Sequence, residues 1–547
     1  MIILGVTHPI SWNNAACLLV DGKLIAFAEE ERFVRLKHAP RMFPKRAVDF
    51  CLQKGGISYS DINATAIGFA PPTVEGLTSE NAKGYIQGTL SPERYSHLAT
   101  DMALLYNDMQ TPSWGQRLYF DHHLAHAAST AIPSGFASAN IISLDGWGGK
   151  AAGLIGYYKE RGELVVDRWV DPHQSWGVVY ELVTASLGFQ PHSGEGKTMG
   201  LAPYGKVDCE LLPDFCDQEL GLPNKDKFAA YLSAHVKVRK GQEPIEQIHK
   251  NLAATLQQYY ERSLIKIARY LSRKSGLNRY VLAGGVALNC TGNGALAKQD
   301  FVEDVFIQPA SHDGGTALGA AILAHRQLTG SWPGLLFENA YWGPDFTQDQ
   351  IRAALKFSGV PFKECDPAIA AAQALEQNKL LGFFQGRAEV GPRALGNRSI
   401  LAHPGEADNH RRVNLLVKRR EPWRPFAPSV MKEHYRELFD ARIDSPFMIM
   451  AFQASEKWKH RIPAVVHVDG SCRPQSVSEH SNLIYYRMLE QFRKLTGFPV
   501  VLNTSFNLED EPIVNAPDHA IASFFRSGLE VLVMGNFVVR KSDVATD

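Results

Sequence analysis

The 547-residue sequence predicts an α/β protein of two domains, the first built from a duplicated strand-and-hairpin unit. Three observations carry this reading. The length exceeds what one hydrophobic core usually supports. The pattern IILGVTH followed by AACLLVDGKLIAFAEEER returns between 140 and 170 as NIISLDG followed by AAGLIGYYKERGELVVDRWV. Strand and helix patterns then alternate through the rest of the chain.

In the first unit Asp21-Gly22 separates two strand-like runs, which is a hairpin signal, and Arg161-Gly162 plays the same part in the second. Two related halves of this kind, facing each other across a cleft, point to the actin-like ATPase superfamily. Between 250 and 330, NLAATLQQYYERSLIKIARYLSRKSG predicts an amphipathic helix, YVLAG and VFIQP predict strands, and SHDGGTALGAAILAHRQL begins a helix at its glycine pair. Each strand ends at a glycine-rich turn, as nucleotide-binding α/β units require. SWPGLLFENAYWGPDF, rich in Pro, Gly and aromatics, reads as a linker packed on the surface, dividing the chain into 1–335 and 336–547. Beyond it IRAALKFSG and AAAQALEQN predict helices, and LLGFFQG, VVHVDG and PVVLNTSF predict strands of a second α/β domain.

With 57 basic and 57 acidic side chains the formal charge is zero, which argues against a nucleic acid as the partner. MIILGVTHPI lacks a basic flank, and no run approaches the roughly 18 apolar residues of a membrane span, so a cytoplasmic, soluble enzyme is expected. Seven cysteines without a CxxC pair read as small buried hydrophobes. Nothing in the sequence fixes an oligomeric state.

The chemistry-bearing residues fall into three sets. His122 and His126 in FDHHLAHAAS sit about one helical turn apart, so both imidazoles project from one face. Alone, such a pair is as often solvated or a hydrogen-bonded core feature. Asp145 in LDG and Asp313 in SHDGGT each end a strand, where an Asp commonly caps a turn. Together the four suit Fe(II), Mn(II) or Zn(II), with positions left for substrate oxygens.

The second set concerns ATP, with Mg as its usual partner. Gly284-Gly285 and Gly314 follow strands and precede helical runs, so their backbone amides can reach phosphate; Gly146, Asn289 and Asn293 join them as candidates. GEGKT at 194–198 is not a P-loop, because Pro191 stands where that motif needs glycine and no strand precedes it. Lys197 is therefore either a cleft lysine or a solvated one.

The third set lies in GRAEVGPRALGNRSILAHP and RRVNLLVKRREPWRPFAPS. Arg387, Arg393, Arg398, Lys418, Arg419 and Arg424, interleaved with Gly, Pro and Trp423, suit a small phosphorylated substrate. Arg411, Arg412 and Arg420 read as surface charges. Arg473, Asn503, Ser505 and Asn507 follow strand-like runs and are placed to complete a phosphate pocket.

HHLAHA, LDG, GEGKTMGLAPYG, AGGVALN, EVGPRALG, VKRREPWRPFAPS, RPQ and LNTSFN occur in this order. The series resembles the O-carbamoyltransferases that tailor antibiotics and nodulation factors, from EEERFVRLKH near the start to NTSFNLEDEPIV near the end. The resemblance implies an actin-like N-terminal domain similar to the enzyme that transfers threonylcarbamoyl to tRNA, and a YrdC-like C-terminal domain. It implies that carbamoyl phosphate and ATP give carbamoyl-adenylate in the C-terminal domain, and that the N-terminal domain passes the carbamoyl group to a small-molecule alcohol acceptor. It places iron ligands on His122, His126, Asp145 and Asp313, and carbamoyl-phosphate contacts on Arg393, Lys418, Arg424, Arg473, Asn503 and Ser505.

One departure stands out. Many members carry a His-Asp pair where this chain has Trp12 and Asn13. Neither is a useful base near neutral pH, which leaves His8, Lys37 and His38 as candidates to take the acceptor's proton. Competing readings are an actin-like sugar kinase with Asp145 as base, which leaves the arginine-rich region unexplained, and a tRNA-modifying relative, which a neutral chain disfavours.

Overall fold

The computed structural model describes residues 1–9, 11–69, 114–241 and 243–543. By contacts the chain divides into two compact units, Met1–Gly177 with Leu271–Leu288 and Phe306–Phe337, and Val178–Tyr270 with Asn289–Val305 and Glu338–Asp547. Residues 178–270 and 289–305 thus group with the chain after 337, in contrast to a simple cut at 335. Side chains explain this: Asn293 donates to the Ile449 carbonyl at 2.9 Å, and Lys197 pairs with Glu421 at 2.8 Å.

In the first unit, β1 (Ile2–Val6), β2 (Ala15–Val20) and β3 (Lys23–Glu29) are short aliphatic runs forming an antiparallel meander. Asp21 and Gly22 both take positive φ, 50° and 74°, so the two-residue turn matches the twist of the strands it joins. β4 (Ala64–Ile67) and β5 (Gln116–Tyr119) add in parallel, giving the order β3-β2-β1-β4-β5. β6 (Ala139–Gly148), β7 (Ala151–Tyr158) and β8 (Val165–Val170) repeat the meander, and β9 (Arg279–Ala283) and β10 (Asp304–Ile307) complete the order β10-β9-β6-β7-β8. The same five-strand topology occurring twice is the duplicated, actin-like arrangement that the sequence echo predicts.

Each sheet is followed by a helix, α1 (His122–Ala131) after β5 and α2 (Gly315–Thr329) after β10. The alanines of α1 let it pack closely: Ala127 and Ala131 join Ile141, Leu154 and Val281 in one buried cluster. Where α2 meets α1, a Cβ on Gly319 would lie 1.7 Å from the Ala125 carbonyl, so only glycine fits.

The second unit holds an eight-stranded mixed sheet in which β11 (Leu381–Phe384), β12 (Arg398–Ala402), β14 (Val500–Ser505) and β13 (Ala427–Met431) are consecutive neighbours. The amphipathic helices α3 (Pro367–Glu376) and α4 (Leu483–Thr496) bury Ala371, Leu375, Tyr485 and Leu489 with Phe383, Leu401 and Val501 of the sheet.

One expectation fails here. VVHVDG is no strand: His467 accepts from the Gly470 amide at 2.9 Å and its own amide reaches the Ser471 carbonyl at 2.8 Å, so Asp469-Gly470 closes a turn. The 331–346 segment has no helix or strand and packs by alternate residues, with Leu335, Phe337 and Ala340 buried and Gly334, Leu336 and Glu338 exposed. The cysteines are all free, and Cys17, Cys51, Cys290 and Cys472 are buried as expected, but Cys209 is exposed. No helix among the described residues is long and apolar enough to cross a membrane.

Candidate active site

In the first unit, His122, His126, Asp145 and Asp313 converge, each offering one ligand atom within 4.8 Å of all the others. Local structure aims each of them. Asp121 caps α1 by accepting the His123 and Leu124 amides, which starts the helix at His122 and sets His126 one turn on. The β6–β7 ladder is irregular between Leu144 and Gly148, and this break frees Asp145 at the strand end. A Cβ on Gly148 would lie 2.1 Å from His122 Cδ2, so that glycine makes room for the ring. Asp313 lies in the turn that starts α2, where the Thr316 amide binds its carbonyl at 2.9 Å.

The hydrogen positions follow from the partners. His122 Nδ1 lies 3.2 Å from the Gly68 carbonyl, which can only accept, so Nδ1 carries the hydrogen and the Nε2 lone pair faces the cluster. That Nε2 stands 3.2 Å from Asp145 Oδ2 and 3.1 Å from His126 Nε2, and the latter is 3.1 Å from the same Oδ2. Asp313 Oδ1 is 3.7 Å from both imidazole nitrogens. Asp145 Oδ1 is already taken by the Gly146 and Gly285 amides at 2.8 and 3.2 Å, which leaves Oδ2 for the cluster.

Burial opposes charge on His126, yet hydrogen bonds and the charges of Asp145 and Asp313 raise it to about 9. Burial would raise Asp145, but His122 and His126 hold it well below the usual carboxylate range. The cluster thus favours a positive charge at its centre, which a proton on His126 or a metal cation can supply. The spacing fits a metal, since neighbouring ligands on bonds of about 2.1 Å lie about 3 Å apart. His123 is a different case: its Nε2 is 2.9 Å from the Ala151 carbonyl, and burial with nearby His122 lowers it to about 3.

The glycine amides expected to face phosphate are spent within the fold: Gly146 and Gly285 on Asp145, and Gly314 on His312 Nδ1 at 3.1 Å. Gly284, with φ 83°, allows close approach to Leu144, whose carbonyl a Cβ would meet at 2.0 Å. As placed, these glycines shape the metal-type cluster. In the second unit Asn289 caps the helix Cys290–Ala297 through the Gly292 amide, Asn293 holds Ile449, and Lys197 is paired with Glu421.

Also in the second unit, Arg393 and Arg424 lie close enough to Arg473 to feel its charge. Burial lowers Arg393, and the charges of Arg473 and Arg424 add to it; burial also lowers Arg424, with Arg473 contributing. The Nε atoms of Arg393 and Arg473 are buried without a hydrogen-bond partner among the described residues. Guanidinium groups with donors to spare suit an anion, while Glu421, at 3.8 Å, and the charges of Glu509 and Asp510 bear on Arg424 from the other side.

The remaining members of the expected set build its frame. Lys418 Nζ is taken up by Ser505 O and Oγ and Asn507 O and Oδ1, at 2.7, 3.1, 3.0 and 2.7 Å. Asn503 Nδ2 donates to the Ala394 carbonyl at 3.1 Å and to Ser429 Oγ at 2.9 Å.

A carbamoyltransferase N-terminus model matches residues 2–322, and a carbamoyltransferase C-terminus model matches residues 372–541. The chain belongs to the carbamoyltransferase family. This carbamoyltransferase is 37% identical over 560 residues to nodulation protein NolNO of Sinorhizobium fredii, covering 98% of this chain and 80% of the relative. It is 35% identical to nodulation protein U of Bradyrhizobium diazoefficiens, covering 95% of this chain and 94% of the relative. Among solved structures it is similar to HypF of T. kodakarensis, with TM-score 0.36 and 13% identity, covering 61% of this chain and 49% of that one.

Several arginines of the carbamoyltransferase behave otherwise than their pattern predicts. Arg398 is fully buried over the Phe384 ring at 3.7 Å and donates to the carbonyls of Gln385, Asn397, Pro344 and Gly386. Arg387 is spent on the Trp342 and Gly343 carbonyls, and Arg419 is exposed and donates to Arg526 O. These three support backbone, not phosphate. Arg420, expected as a surface charge, is packed against Phe426 at 4.7 Å with its Nε on Asn414 at 2.7 Å. Arg411 does pair with Asp408 in solvent, whereas Arg412 is half-buried against Glu530.

Sequence reasoning missed Glu389. Its Oε1 accepts the Leu395, Asn397 and Arg398 amides at 2.8, 2.7 and 3.1 Å, so the loop bearing Arg393 is wound around one buried carboxylate. Its place within EVGPRALG was the available signal. Of the base candidates, Lys37 is exposed. His8, against Phe69 at 5.2 Å, is lowered to about 4 by burial and by His122. His38 Nδ1 lies 2.9 Å from Asn13 Nδ2.

Proposed function

We propose that this carbamoyltransferase is a cytoplasmic, ATP-dependent O-carbamoyltransferase. It forms carbamoyl-adenylate from carbamoyl phosphate and ATP with Mg, then transfers the carbamoyl group to a hydroxyl of a small natural-product acceptor. The observation that carries this is the presence, within a carbamoyltransferase chain, of two unlike constellations. One is an arginine cluster with unspent donors, and the other a four-ligand cluster of metal type.

In the first half-reaction Arg393, Arg424 and Arg473 neutralise the phosphate of carbamoyl phosphate. Their burial strengthens each charged hydrogen bond and keeps water from the unstable carbamate that follows. Lys418 fixes Ser505 and Asn507, and Glu389 fixes the Arg393 loop. In the second, a divalent transition metal such as Fe(II), when held by His122, His126, Asp145 and Asp313, supplies a Lewis acid toward the oxygens of the activated carbamoyl group. Asn13 Nδ2 donates to His38 Nδ1 at 2.9 Å, which puts the ring hydrogen on Nε2, and the neighbouring Trp12 amide donates to Asp313 Oδ2 at 2.8 Å. For His38 to take the hydroxyl proton, its Nδ1 lone pair must exchange the Asn13 amide for the acceptor hydroxyl, and the proton then stays on Nδ1.

Product analysis tests the reading. Incubation with ATP should release pyrophosphate only when carbamoyl phosphate is supplied; release of ADP upon adding an alcohol would point instead to a kinase.

A further inference from the structure

The four-ligand cluster leaves unexplained a run of buried charge beside it. Glu29, Glu31 and Arg32 are 3%, 9% and 5% exposed, and His312, next to Asp313, is 5% exposed. Ionic groups in such places are costly to desolvate and contribute little net stability, so a merely space-filling role would be served as well by apolar residues.

Their hydrogen bonds and close ion-pair contacts form a closed path around the Asp313 turn. The Gly314 amide can only donate, so His312 Nδ1 at 3.1 Å accepts, and the ring hydrogen lies on Nε2, which stands 3.1 Å from Glu29 Oε1. Glu29 Oε2 binds Arg32 at 3.0 Å, and Arg32 Nε lies 3.0 Å from Glu31 Oε1. Glu31 Oε2 accepts the His38 amide at 2.7 Å, and the His38 ring meets Asn13 at 2.9 Å. The next amide back, that of Trp12, closes the path on Asp313 Oδ2 at 2.8 Å. The turn itself leaves no slack, since a Cβ on Gly314 would meet His312 Cε1 at 2.8 Å.

We infer that Glu29 and His312 are positioning residues that hold the Asp313 carboxylate in the cluster, with the end of the first hairpin acting as a strut against the turn. The inference rests on the metal reading of the cluster. The imidazole works as a spacer: one nitrogen fixes the Gly314 amide, and with it the peptide after Asp313, while the other is anchored on a carboxylate from β3. Arg32 neutralises that carboxylate and ties it to Glu31, so the strut is braced on the side away from the cluster. Freed of it, the turn would keep its helix-starting bonds but lose the constraint on where Asp313 points.

The test uses the full chain stripped of metal and titrated with Co(II), read by equilibrium dialysis and by the visible absorption of the bound ion. His312→Asn keeps an acceptor near the Gly314 amide but cannot reach Glu29; His312→Gln keeps a donor toward Glu29. The strut predicts Co(II) binding weakened about tenfold or more in His312→Asn, with an altered spectrum, and substantially recovered in His312→Gln. Glu29→Gln, the gentlest change, should weaken binding to a smaller extent. Wild-type affinity and spectrum in both His312→Asn and Glu29→Gln, with binding lost in His126→Ala, would overturn the strut and leave the metal site standing. Weakened binding that merely follows a lower melting temperature of the metal-free chain would also count against it. Undiminished binding in His126→Ala would remove the metal reading itself.

Discussion

Nε2 of His122 and Nε2 of His126 lie 3.1 Å apart, with the hydrogen of the His122 ring committed to Gly68 on its far side. Two imidazoles so arranged, with Asp145 Oδ2 sharing the same small space, repel one another unless a cation or a shared proton lies among them.

Metal content follows from this geometry. Protein purified without chelator should carry about one transition metal per chain. Asp145→Ala should remove most of it, as measured by elemental analysis, because Oδ2 is the atom nearest both imidazoles. Full metal retention in that variant would place the ion elsewhere.

Gly148→Ala should do similar harm without replacing a ligand. The new methyl would lie 2.1 Å from His122 Cδ2, so the ring must move, and overpacking at such a site costs about 1–3 kcal/mol. Metal affinity should fall at least tenfold, by equilibrium dialysis; an unaffected value would mean that the ring has room to spare.

Arg393→Ala should impair adenylate formation and spare the metal. Removing a charged hydrogen bond of about 1.5–3 kcal/mol predicts a loss of about 10- to 100-fold in carbamoyl-phosphate-dependent pyrophosphate release. Glu389→Ala should reproduce much of this loss indirectly and lower the melting temperature, because three amides lose their acceptor. Glu389→Gln, which keeps an oxygen, should fall between.

Acid stability has a defined sign at Glu29. Burial would raise its pKa, but Arg32 and His312 outweigh burial and hold it at about 2 against an ordinary value of 4.5. The folded state therefore binds the proton less readily than the unfolded chain. Stability from this carboxylate is complete above pH 4.5 and is lost as pH falls toward 2. Denaturant melts of Glu29→Gln should show a shallower loss through this window than wild type, and parallel curves would contradict the assignment.

The N-terminal fold was legible because its signals are local. Asp21-Gly22 and Arg161-Gly162 mark turns, and the short apolar runs around them make the duplicated meander visible without any long-range information. The metal-type cluster was legible through types and spacing, since one helical turn forces His122 and His126 together. The arginines were harder. Arg393 and Arg398 share a motif and differ by five positions, yet Arg398 is held by four backbone carbonyls, whereas Arg393 is buried near the charges of Arg473 and Arg424. Pattern records the residue type; the loop wound around Glu389 decides which way each side chain faces. VVHVDG failed as a strand for a related reason, because a short β-branched run ending in Asp-Gly can close a turn as readily as enter a sheet.

The division of labour between the arginine cluster and the four-ligand cluster is tested most directly in His126→Ala, by measuring pyrophosphate release and carbamoylated product side by side. Pyrophosphate release that still requires carbamoyl phosphate, with product formation abolished, is the predicted result. Loss of both activities in a folded variant would contradict it.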